Sequence, residues 1–166
     1  MAPVGSIDAR LLILGSLPGE KSLLAQRYYA HPQNQFWLLL GMAIGEDLAG
    51  MTYDQRLVRL ELRDIALWDA VGDEPRQGSL DGAIRNASTN KLVEFVAGHP
   101  RLRAVAFNGK TAARLGRAAL ANLTGVELID LPSSSPAYTQ PLAEKAARWS
   151  LIGALASPAE DATLGR

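Results

Sequence analysis

The sequence contains no cysteine. Disulfide bonds, a thiolate nucleophile, cysteine-ligated zinc and iron–sulfur clusters all need that residue, so each of them is excluded. A lack of cysteine is also typical of proteins from a reducing compartment, and we expect a cytoplasmic location. We further expect no bound metal.

Long apolar segments are missing as well. The longest uninterrupted apolar run has about five residues, whereas a membrane-spanning helix needs about 20. The first ten residues also lack the basic and then apolar pattern of a secretion signal. We therefore expect no membrane partner.

An excess of charge is the third absence. The 166 residues include 17 basic and 17 acidic side chains, which gives a formal net charge of +0. Bulk charge therefore does not indicate a nucleic-acid partner, and a basic surface would have to come from asymmetric placement of lysine and arginine. With 48% hydrophobic residues, the chain suits one domain over residues 1–166, with loose ends at 1–9 and 158–166.

Four short apolar segments predict strands, and helical patterns separate them. The predicted strands are 11–15, 64–71, 103–107 and 126–131. The predicted helices cover 34–44, 53–62, 88–97 and 110–120, and a last one begins at Pro141. Residues 52–55 form a capping-box pattern ahead of the second helix. Trp37 and Leu38 lie outside the apolar stripe of the first helix, so we expect it to be buried nearly all round.

Strands that alternate with helices predict an α/β fold, with a parallel sheet covered on both faces. Ligands of such folds bind at the carboxyl ends of the strands. The candidate site therefore lies in the loops that follow the four strands, namely 15–34, 69–87, 108–110 and 132–139.

The first of these loops carries several residues that can bind a ligand. Gly15 to Gly19 either brings backbone N–H groups close to a ligand or forms a plain turn. The segment lacks the patterns of a P-loop, a dinucleotide fingerprint and a hydrolase elbow. Tyr28 and Tyr29 either offer a stacking face for a flat ligand or pack at the edge of the sheet, and packing is favoured for one of the two.

Two further polar residues precede the first predicted helix. His31 is a candidate general acid or base, but an imidazole that holds the loop through hydrogen bonds to the backbone is the favoured interpretation. The Asn34 amide can orient a water or a base edge, it can cap the helix, or it can do both.

The remaining loops offer fewer distinctive groups. Asp69 ends a buried strand, where it either binds a ligand donor or caps the next turn. Asn108, Gly109 and Lys110 favour a tight turn into a helix over a ligand site. Residues 133–137 either approach a phosphate chain closely or form a solvated loop. The tryptophans are predicted to be core residues, namely Trp37, Trp68 and Trp149.

Taken together, five motifs occur in order at predicted strand ends. They are Gly15-Ser16-Leu17-Pro18-Gly19, His31-Pro32-Gln33-Asn34-Gln35-Phe36-Trp37, Ala66-Leu67-Trp68-Asp69 with Gly78-Ser79-Leu80-Asp81, Phe107-Asn108-Gly109-Lys110, and Leu131-Pro132-Ser133-Ser134-Ser135-Pro136-Ala137. With these motifs the chain resembles the uracil-DNA glycosylase superfamily over most of its length. The similarity is greatest to the hypoxanthine-DNA glycosylase branch, with the mismatch-specific uracil glycosylases as neighbours.

The resemblance implies a three-layer α/β/α sandwich around a four-stranded parallel sheet. It implies a monomer that removes a deaminated base, most of all hypoxanthine, from double-stranded DNA without a cofactor. In the mismatch-specific enzymes the first motif carries a catalytic asparagine, and Leu17 stands at that position here. In the hypoxanthine branch the catalytic duty is assigned to the asparagine of the second motif, which is Asn34.

The resemblance also implies roles for other residues. The stacking residue would be Tyr29, while residues 15–19, Asp69 and Asn108 would contact the flipped base. The loop from Ser133 through Ser134, Ser135 and Pro136 to Ala137 and Tyr138 would enter the minor groove of the DNA, with Ala137 as the wedge and Tyr138 sharing its task. The basic face is assigned by position only, to Arg85, Lys110 and Arg114.

Three alternatives remain open from the sequence. The enzyme could act on uracil, for example opposite guanine, or on xanthine. It could be a lesion-binding protein that flips bases without cutting, which the loss of the first-motif asparagine favours. It could also be a small-molecule hydrolase that uses Ser16 or a serine of 133–135, although no elbow pattern is present.

Overall fold

A computed structural model describes residues 1–70 and 91–158 of the chain. The predicted loop 72–87, the motif at 78–81, Arg85 and the start of the helix predicted from residue 88 lie outside the described residues. The same holds for all but the first residue of the predicted loose end at 158–166.

The described strands form one parallel sheet. They are β1 (Leu11–Gly15), β2 (Ile65–Asp69), β3 (Ala104–Asn108) and β4 (Glu127–Leu131). Their order across the sheet is β2-β1-β3-β4, and every neighbouring pair is parallel. The four predicted strands are therefore confirmed, with bounds that differ by at most two residues.

The helices lie between these strands. They are α1 (Glu20–Ala25), α2 (Phe36–Ile44), α3 (Tyr53–Leu62), α4 (91–97 within the described part), α5 (Lys110–Ala119) and α6 (Leu142–Trp149), with short 3₁₀ helices at Leu48–Gly50 and Ser150–Leu155. The capping box is confirmed, because Thr52 Oγ1 accepts a hydrogen bond from Gln55 N and the Gln55 side chain accepts one from Thr52 N. Helix α1 falls in a stretch for which we predicted no regular structure.

The sheet separates two apolar cores, as the period of two in a strand requires. Leu11 and Ile13 face one core, which α2, α3 and α6 cover. Leu12 and Leu14 face the other, which α4 and α5 cover. The three-layer α/β/α sandwich is therefore confirmed.

The amino-terminal residues are not a loose lead-in, so this expectation was wrong. Val4 pairs with Leu67 at the free edge of β2 through two backbone hydrogen bonds of 3.0 Å. Met1 is buried, and its carbonyl accepts a hydrogen bond from Trp68 Nε1. Backbone pairing and a buried end side chain together hold residues 1–9 against the sheet, which their Gly and Pro content did not indicate.

Helix α2 is also less enclosed than expected. Trp37 is buried, but Leu38 is 40% and Met42 is 55% exposed, so one face of the helix meets solvent. The tryptophans act as core residues: Trp37 and Trp149 are buried, and Trp68 is half-buried and stacked on Phe95.

Candidate active site

A polar pocket of about 270 Å³ lies at the carboxyl ends of β1, β2 and β3. It brings together most of the predicted site residues, because parallel strands end at one edge of the sheet. The predicted residues that line it are Gly15, Ser16, Leu17, Pro18, Gly19, Tyr29, Asn34, Asp69, Asn108, Ser133, Ser134 and Ser135. Pro136, Ala137 and Tyr138 do not line it; they are exposed at the apex of their loop.

Gly15 sets how closely the first two strands approach the aromatic segment. It stands opposite Asp69 in the register of β1 and β2. A Cβ at this position would lie 2.9 Å from Tyr29 Oη and 3.3 Å from Asp69 Oδ1. Glycine is therefore needed here, because any side chain would push the tyrosine out of the pocket.

Tyr29 is held on one face by the protein itself. Its ring stacks on Phe36 with centroids 3.8 Å apart and planes 11° apart, and its φ of 55° places it in the left-handed region. Only the other face of the Tyr29 ring is therefore available for the predicted stacking on a base. The Tyr29 hydroxyl is buried next to the Asn108 side chain, but it forms no hydrogen bond of ordinary geometry with any described residue. Burial raises the pKa of this hydroxyl well above its usual range, so it stays a donor.

Packing at the edge of the sheet was predicted for one of the two tyrosines, and Tyr28 is the one that packs. It is 3% exposed, and its hydroxyl donates to the Ala2 carbonyl at 2.7 Å. The buried Ser22, to which the sequence analysis assigned no role, anchors the same segment because its Oγ accepts from Ala30 N.

Asp69 places a carboxyl group in the pocket with little to satisfy it. The residue is 6% exposed, and its Oδ2 has no hydrogen bond, although the amino group of Met1 lies 3.8 Å away. Burial raises the pKa of this carboxyl to about 6, and the nearby amino group acts in the opposite direction. We call Gly15, Tyr29 and Asp69 the unpaired wall.

The Asn34 side chain lies on the other side of the pocket; it is not the cap of α2, which is Gln35, but it bonds to the first helical residue. Its Oδ1 accepts from Phe36 N at 3.0 Å and from Ser134 Oγ at 2.8 Å. Since a backbone N–H can only donate, this contact fixes which end of the amide is oxygen. Both lone pairs of Oδ1 are therefore used, while Nδ2 has no partner among the described residues.

Ser134 is the centre of the network that holds Asn34. Asn108 Oδ1 accepts from Ser134 N, and Asn108 Nδ2 donates to Ser134 Oγ, both at 2.9 Å. The Ser134 carbonyl accepts from Gln35 N at 3.0 Å. Ser134 is 1% exposed, so the expectation that it touches DNA is wrong: it braces the loop from within. We call Asn34, Asn108 and Ser134 the bonded wall.

Lys145 stabilises the residues next to the bonded wall, and no role was predicted for it from the sequence. Its Nζ donates to Gln35 Oε1 at 3.0 Å and to the Ser135 carbonyl at 3.3 Å. The residue is 1% exposed, and burial lowers the pKa of its ammonium group. A signal was present, because Lys145 lies within the apolar stripe of α6, three residues after Leu142.

The other predicted groups have simpler places. His31 Nδ1 accepts from Gln33 N at 3.1 Å, in agreement with the favoured loop-holding interpretation. Lys110 and Arg114 are exposed on α5. In residues 1–70 and 91–158, no three His, Asp or Glu side chains converge as a metal site would require. No helix among the same residues is long and apolar enough to cross a membrane.

The hydrolase alternative receives no support from the serines. Ser133 Oγ accepts from Ser135 N, and Ser134 Oγ bonds to the two asparagines described above. Neither serine is hydrogen-bonded to a histidine, which a serine nucleophile would need as its base.

Comparison with known proteins gives one consistent family. The family model described as Uracil DNA glycosylase superfamily matches residues 2–155. A hypoxanthine DNA glycosylase of Methanosarcina barkeri is 37% identical over 147 residues, which cover 89% of this chain and 92% of the relative. A protein of the same name from Methanosarcina acetivorans is 37% identical over 145 residues, with 87% and 90% covered. The solution structure of a candidate uracil DNA glycosylase from M. acetivorans has a TM-score of 0.72 and 32% identity, covering 93% of this chain and 95% of its own.

Proposed function

Because the chain belongs to the uracil DNA glycosylase superfamily, we propose that its pocket receives a hypoxanthine flipped out of double-stranded DNA. The protein is a DNA glycosylase that removes deaminated bases from DNA by hydrolysing the N-glycosidic bond. One observation carries the assignment of the site: the firmly held amide of Asn34 faces a pocket that also contains two buried polar atoms, Tyr29 Oη and Asp69 Oδ2, without a hydrogen bond to any described residue.

The unpaired wall supplies the groups that recognise the base. Hypoxanthine presents an N1–H donor beside the O6 acceptor. The Asp69 carboxylate accepts from N1–H, and the Tyr29 hydroxyl donates to an acceptor of the base. Buried polar groups in native proteins are nearly always paired, so two unpaired ones in a pocket favour a polar ligand.

The first loop stabilises the leaving base. Residues 16–19 line the pocket, and the backbone N–H groups of Ser16, Leu17 and Gly19 stabilise the negative charge that grows on the base as the bond breaks. Leu17 is 46% exposed and has no polar group, so it cannot activate water. We therefore assign the catalytic role to Asn34.

Asn34 positions the attacking water without acting as a base. Its oxygen is occupied, so Nδ2 donates a hydrogen bond to the water oxygen and holds it beside C1′ of the sugar. The electron pair of the C1′–N9 bond leaves with the base, the water oxygen bonds to C1′, and the released proton goes to the base or to solvent. A cationic, oxocarbenium-like sugar needs only a weak nucleophile, so correct positioning is sufficient.

The loop apex separates the strands of the duplex. Flipping a base costs a few kcal/mol, and least at a mispair. Pro136, Ala137 and the 41%-exposed Tyr138 project where they can fill the space that the base leaves. The Ser133 and Ser135 backbone at the pocket rim approaches the phosphates of the flipped nucleotide.

The test uses a set of matched duplexes that contain deoxyinosine, uracil opposite guanine, xanthine or no lesion. After incubation and alkali treatment, we expect strand cleavage to be fastest at deoxyinosine. Asn34→Ala should lower the single-turnover rate by about 10²–10³-fold, the usual effect of removing one catalytic hydrogen bond, and leave DNA affinity nearly unchanged.

Three outcomes would revise the proposal. Faster release of uracil would change the preferred base and keep the mechanism. Binding of the lesion duplexes without any product would favour the lesion-binding alternative. Full activity in Asn34→Ala would remove Asn34 from its role. We also propose that the enzyme is a monomer, because a single chain supplies all the described residues that line the pocket; light scattering after gel filtration tests this.

A further inference from the structure

A second cleft, of about 660 Å³, adjoins the candidate active site. It shares Tyr28, Tyr29, His31 and Asn34 with the pocket, so the loop over residues 28–34 borders both cavities. The pairing of the base does not require this cleft, and no part of the mechanism above uses it.

The cleft is basic although the chain as a whole is neutral. Arg27 and Arg56 line it, and no aspartate or glutamate is among the lining residues within 1–70 and 91–158. The acidic neighbour, Asp54, lines a separate depression on α3. The larger groove on the other side of the pocket is different, because there Lys110 and Arg148 are accompanied by Asp130 and Glu144.

The two guanidinium groups are held in place by aromatic rings. Arg56 lies over Trp37, 5.1 Å from the ring centroid, and Arg27 lies over Tyr53 at 5.5 Å. Arg56 also donates from Nε to the Leu48 carbonyl and from Nη2 to the Ala49 carbonyl, which leaves Nη1 for a ligand. An arginine that is already ordered loses less conformational entropy when it binds an anion.

The side chain of Arg27 has neither an ion pair nor a hydrogen bond with any of the described residues. It is exposed in the cleft, and it precedes by two residues Tyr29, which borders both the cleft and the pocket. A cation in this position can meet an anion that approaches from solvent.

We propose that this cleft binds the phosphates of the lesion strand next to the flipped nucleotide, with Arg27 and Arg56 as their contacts. The proposal rests on the proposed function, because a nucleotide whose base fills the pocket leaves its own backbone at the rim formed by Tyr29, His31 and Asn34. The next phosphates along that strand then lie over the cleft. Arg27 and Arg56 thus form the basic face that the net charge does not reveal.

The first experiment measures DNA affinity as a function of salt concentration for Arg27→Gln and Arg56→Gln. Each phosphate contact contributes about 0.9 to the slope of log K against log salt. We expect each variant to lower the slope by about 1 and to bind lesion-free and deoxyinosine duplexes about five- to tenfold more weakly at 0.1 M salt. The single-turnover rate at saturating enzyme should stay at the wild-type value.

Arg101→Gln is the matched control. Arg101 is exposed and precedes β3, at the opposite end of the sheet from the pocket. We expect its slope and affinity to match the wild type. If Arg27→Gln also matches the wild type, or if Arg27→Gln and Arg101→Gln lose affinity equally, Arg27 makes no local phosphate contact and the proposal is wrong. Arg56 also donates hydrogen bonds to two loop carbonyls, so Arg56→Gln could unfold the protein. In that case the result for Arg27→Gln alone tests the proposal.

A second experiment locates the contacted phosphate. Single phosphates on either side of deoxyinosine are replaced by neutral methylphosphonates. At the contacted position, the methylphosphonate and Arg27→Gln should together weaken binding no more than either change alone. Additive losses at every position would overturn the proposal. If the wild type binds as expected but releases no base, the cleft assignment stands and the proposed function fails.

Discussion

The two walls of the pocket differ in how their polar groups are satisfied. In the bonded wall, the oxygens of Asn34 and Asn108 both accept hydrogen bonds from within the chain, and Ser134 is fully engaged. In the unpaired wall, Tyr29 Oη and Asp69 Oδ2 are buried without a hydrogen bond. In the bonded wall the acceptor oxygens are satisfied by the chain itself and Asn34 Nδ2 has no partner among the described residues, whereas in the unpaired wall the buried oxygens lack a hydrogen bond.

This difference suits the two proposed roles: the bonded wall positions the attacking water, and the unpaired wall recognises the base. A water-holding group must not move, because a small displacement costs much of the rate, and the bonded wall provides that rigidity. A recognising group must be free to bond to the base, even though an unpaired buried group costs about 1–3 kcal/mol of stability. Substitutions in the unpaired wall should therefore affect base recognition more than folding, and those in the bonded wall should affect both.

The largest effect is expected for Gly15→Ala. The new Cβ would meet Tyr29 Oη at 2.9 Å, and the ring cannot retreat because it stacks on Phe36. We expect the single-turnover rate on deoxyinosine to fall more than about 100-fold and the free energy of unfolding to fall by about 1–3 kcal/mol. Gly19→Ala is the control, because a Cβ there meets nothing within 4 Å. Equal activity of the two variants would contradict this account of the unpaired wall.

Asp69→Asn should change how rate and stability depend on pH. The folded carboxyl has a pKa of about 6 instead of the usual 3.8, so between these values the folded chain holds a proton that the unfolded chain has lost. The free energy of unfolding should therefore fall by up to about 3 kcal/mol as pH rises through this window, and Asp69→Asn should abolish that fall.

The activity of Asp69→Asn follows from the same titration. In the proposed complex the Asp69 carboxylate accepts the N1–H of the base above pH 6, and below it protonation removes the negative charge that strengthens this hydrogen bond. We expect the wild-type rate to decline below about pH 6 and the variant to be about ten- to 100-fold slower at pH 8, without that decline. Single-turnover rates from pH 5 to 8.5 measure both. If the rate of the variant still declines below about pH 6, the titrating group is not Asp69.

Ser134→Ala tests the bonded wall. It leaves Asn108 Nδ2 without its acceptor and Asn34 Oδ1 with one donor instead of two. We expect a loss of about 1–3 kcal/mol in the free energy of unfolding and a rate about tenfold lower, with DNA affinity retained. Ser133→Ala should cause smaller losses of both unfolding free energy and rate, because the Ser133 hydroxyl only accepts a hydrogen bond from Ser135 N among the described residues. A wild-type rate in Ser134→Ala would mean that Asn34 does not need this support.

Tyr29→Phe and Tyr28→Phe should give the smallest effects, and of opposite kinds. The Tyr29 hydroxyl is unpaired, so its removal should leave stability unchanged or raise it by about 1 kcal/mol and slow the release of hypoxanthine a few-fold. The Tyr28 hydroxyl bonds to Ala2, so its removal should cost about 1 kcal/mol with an unchanged rate. Urea unfolding and single-turnover kinetics of the pair test this, and a stability loss in Tyr29→Phe would show that its hydroxyl is paired.

Local patterns were sufficient to predict most of the fold. The capping box at Thr52 and Gln55 depends on neighbours three residues apart, and it was predicted with the correct helix. The short apolar run from Leu11 to Leu14 predicted a buried strand, and these residues do pack into both cores. Helix α1 was missed because the six residues Glu20–Ala25 carry no side-chain cap and little apolar periodicity. The place of residues 1–9 was missed because Val4 pairs with Leu67, which is far away in the chain.

By itself, the sequence determined which residues reach the site. Motifs that end parallel strands must meet at one edge of the sheet, so Gly15, Asp69 and Asn108 had to come together. Only the tertiary structure decided which of their atoms remain available. Ser134 and Asn34 are 100 residues apart, and the hydrogen bond between them fixes the amide so that it can donate but not accept. Hydrogen bonds between distant segments depend on packing to within a fraction of an ångström, and no local pattern of residues specifies that.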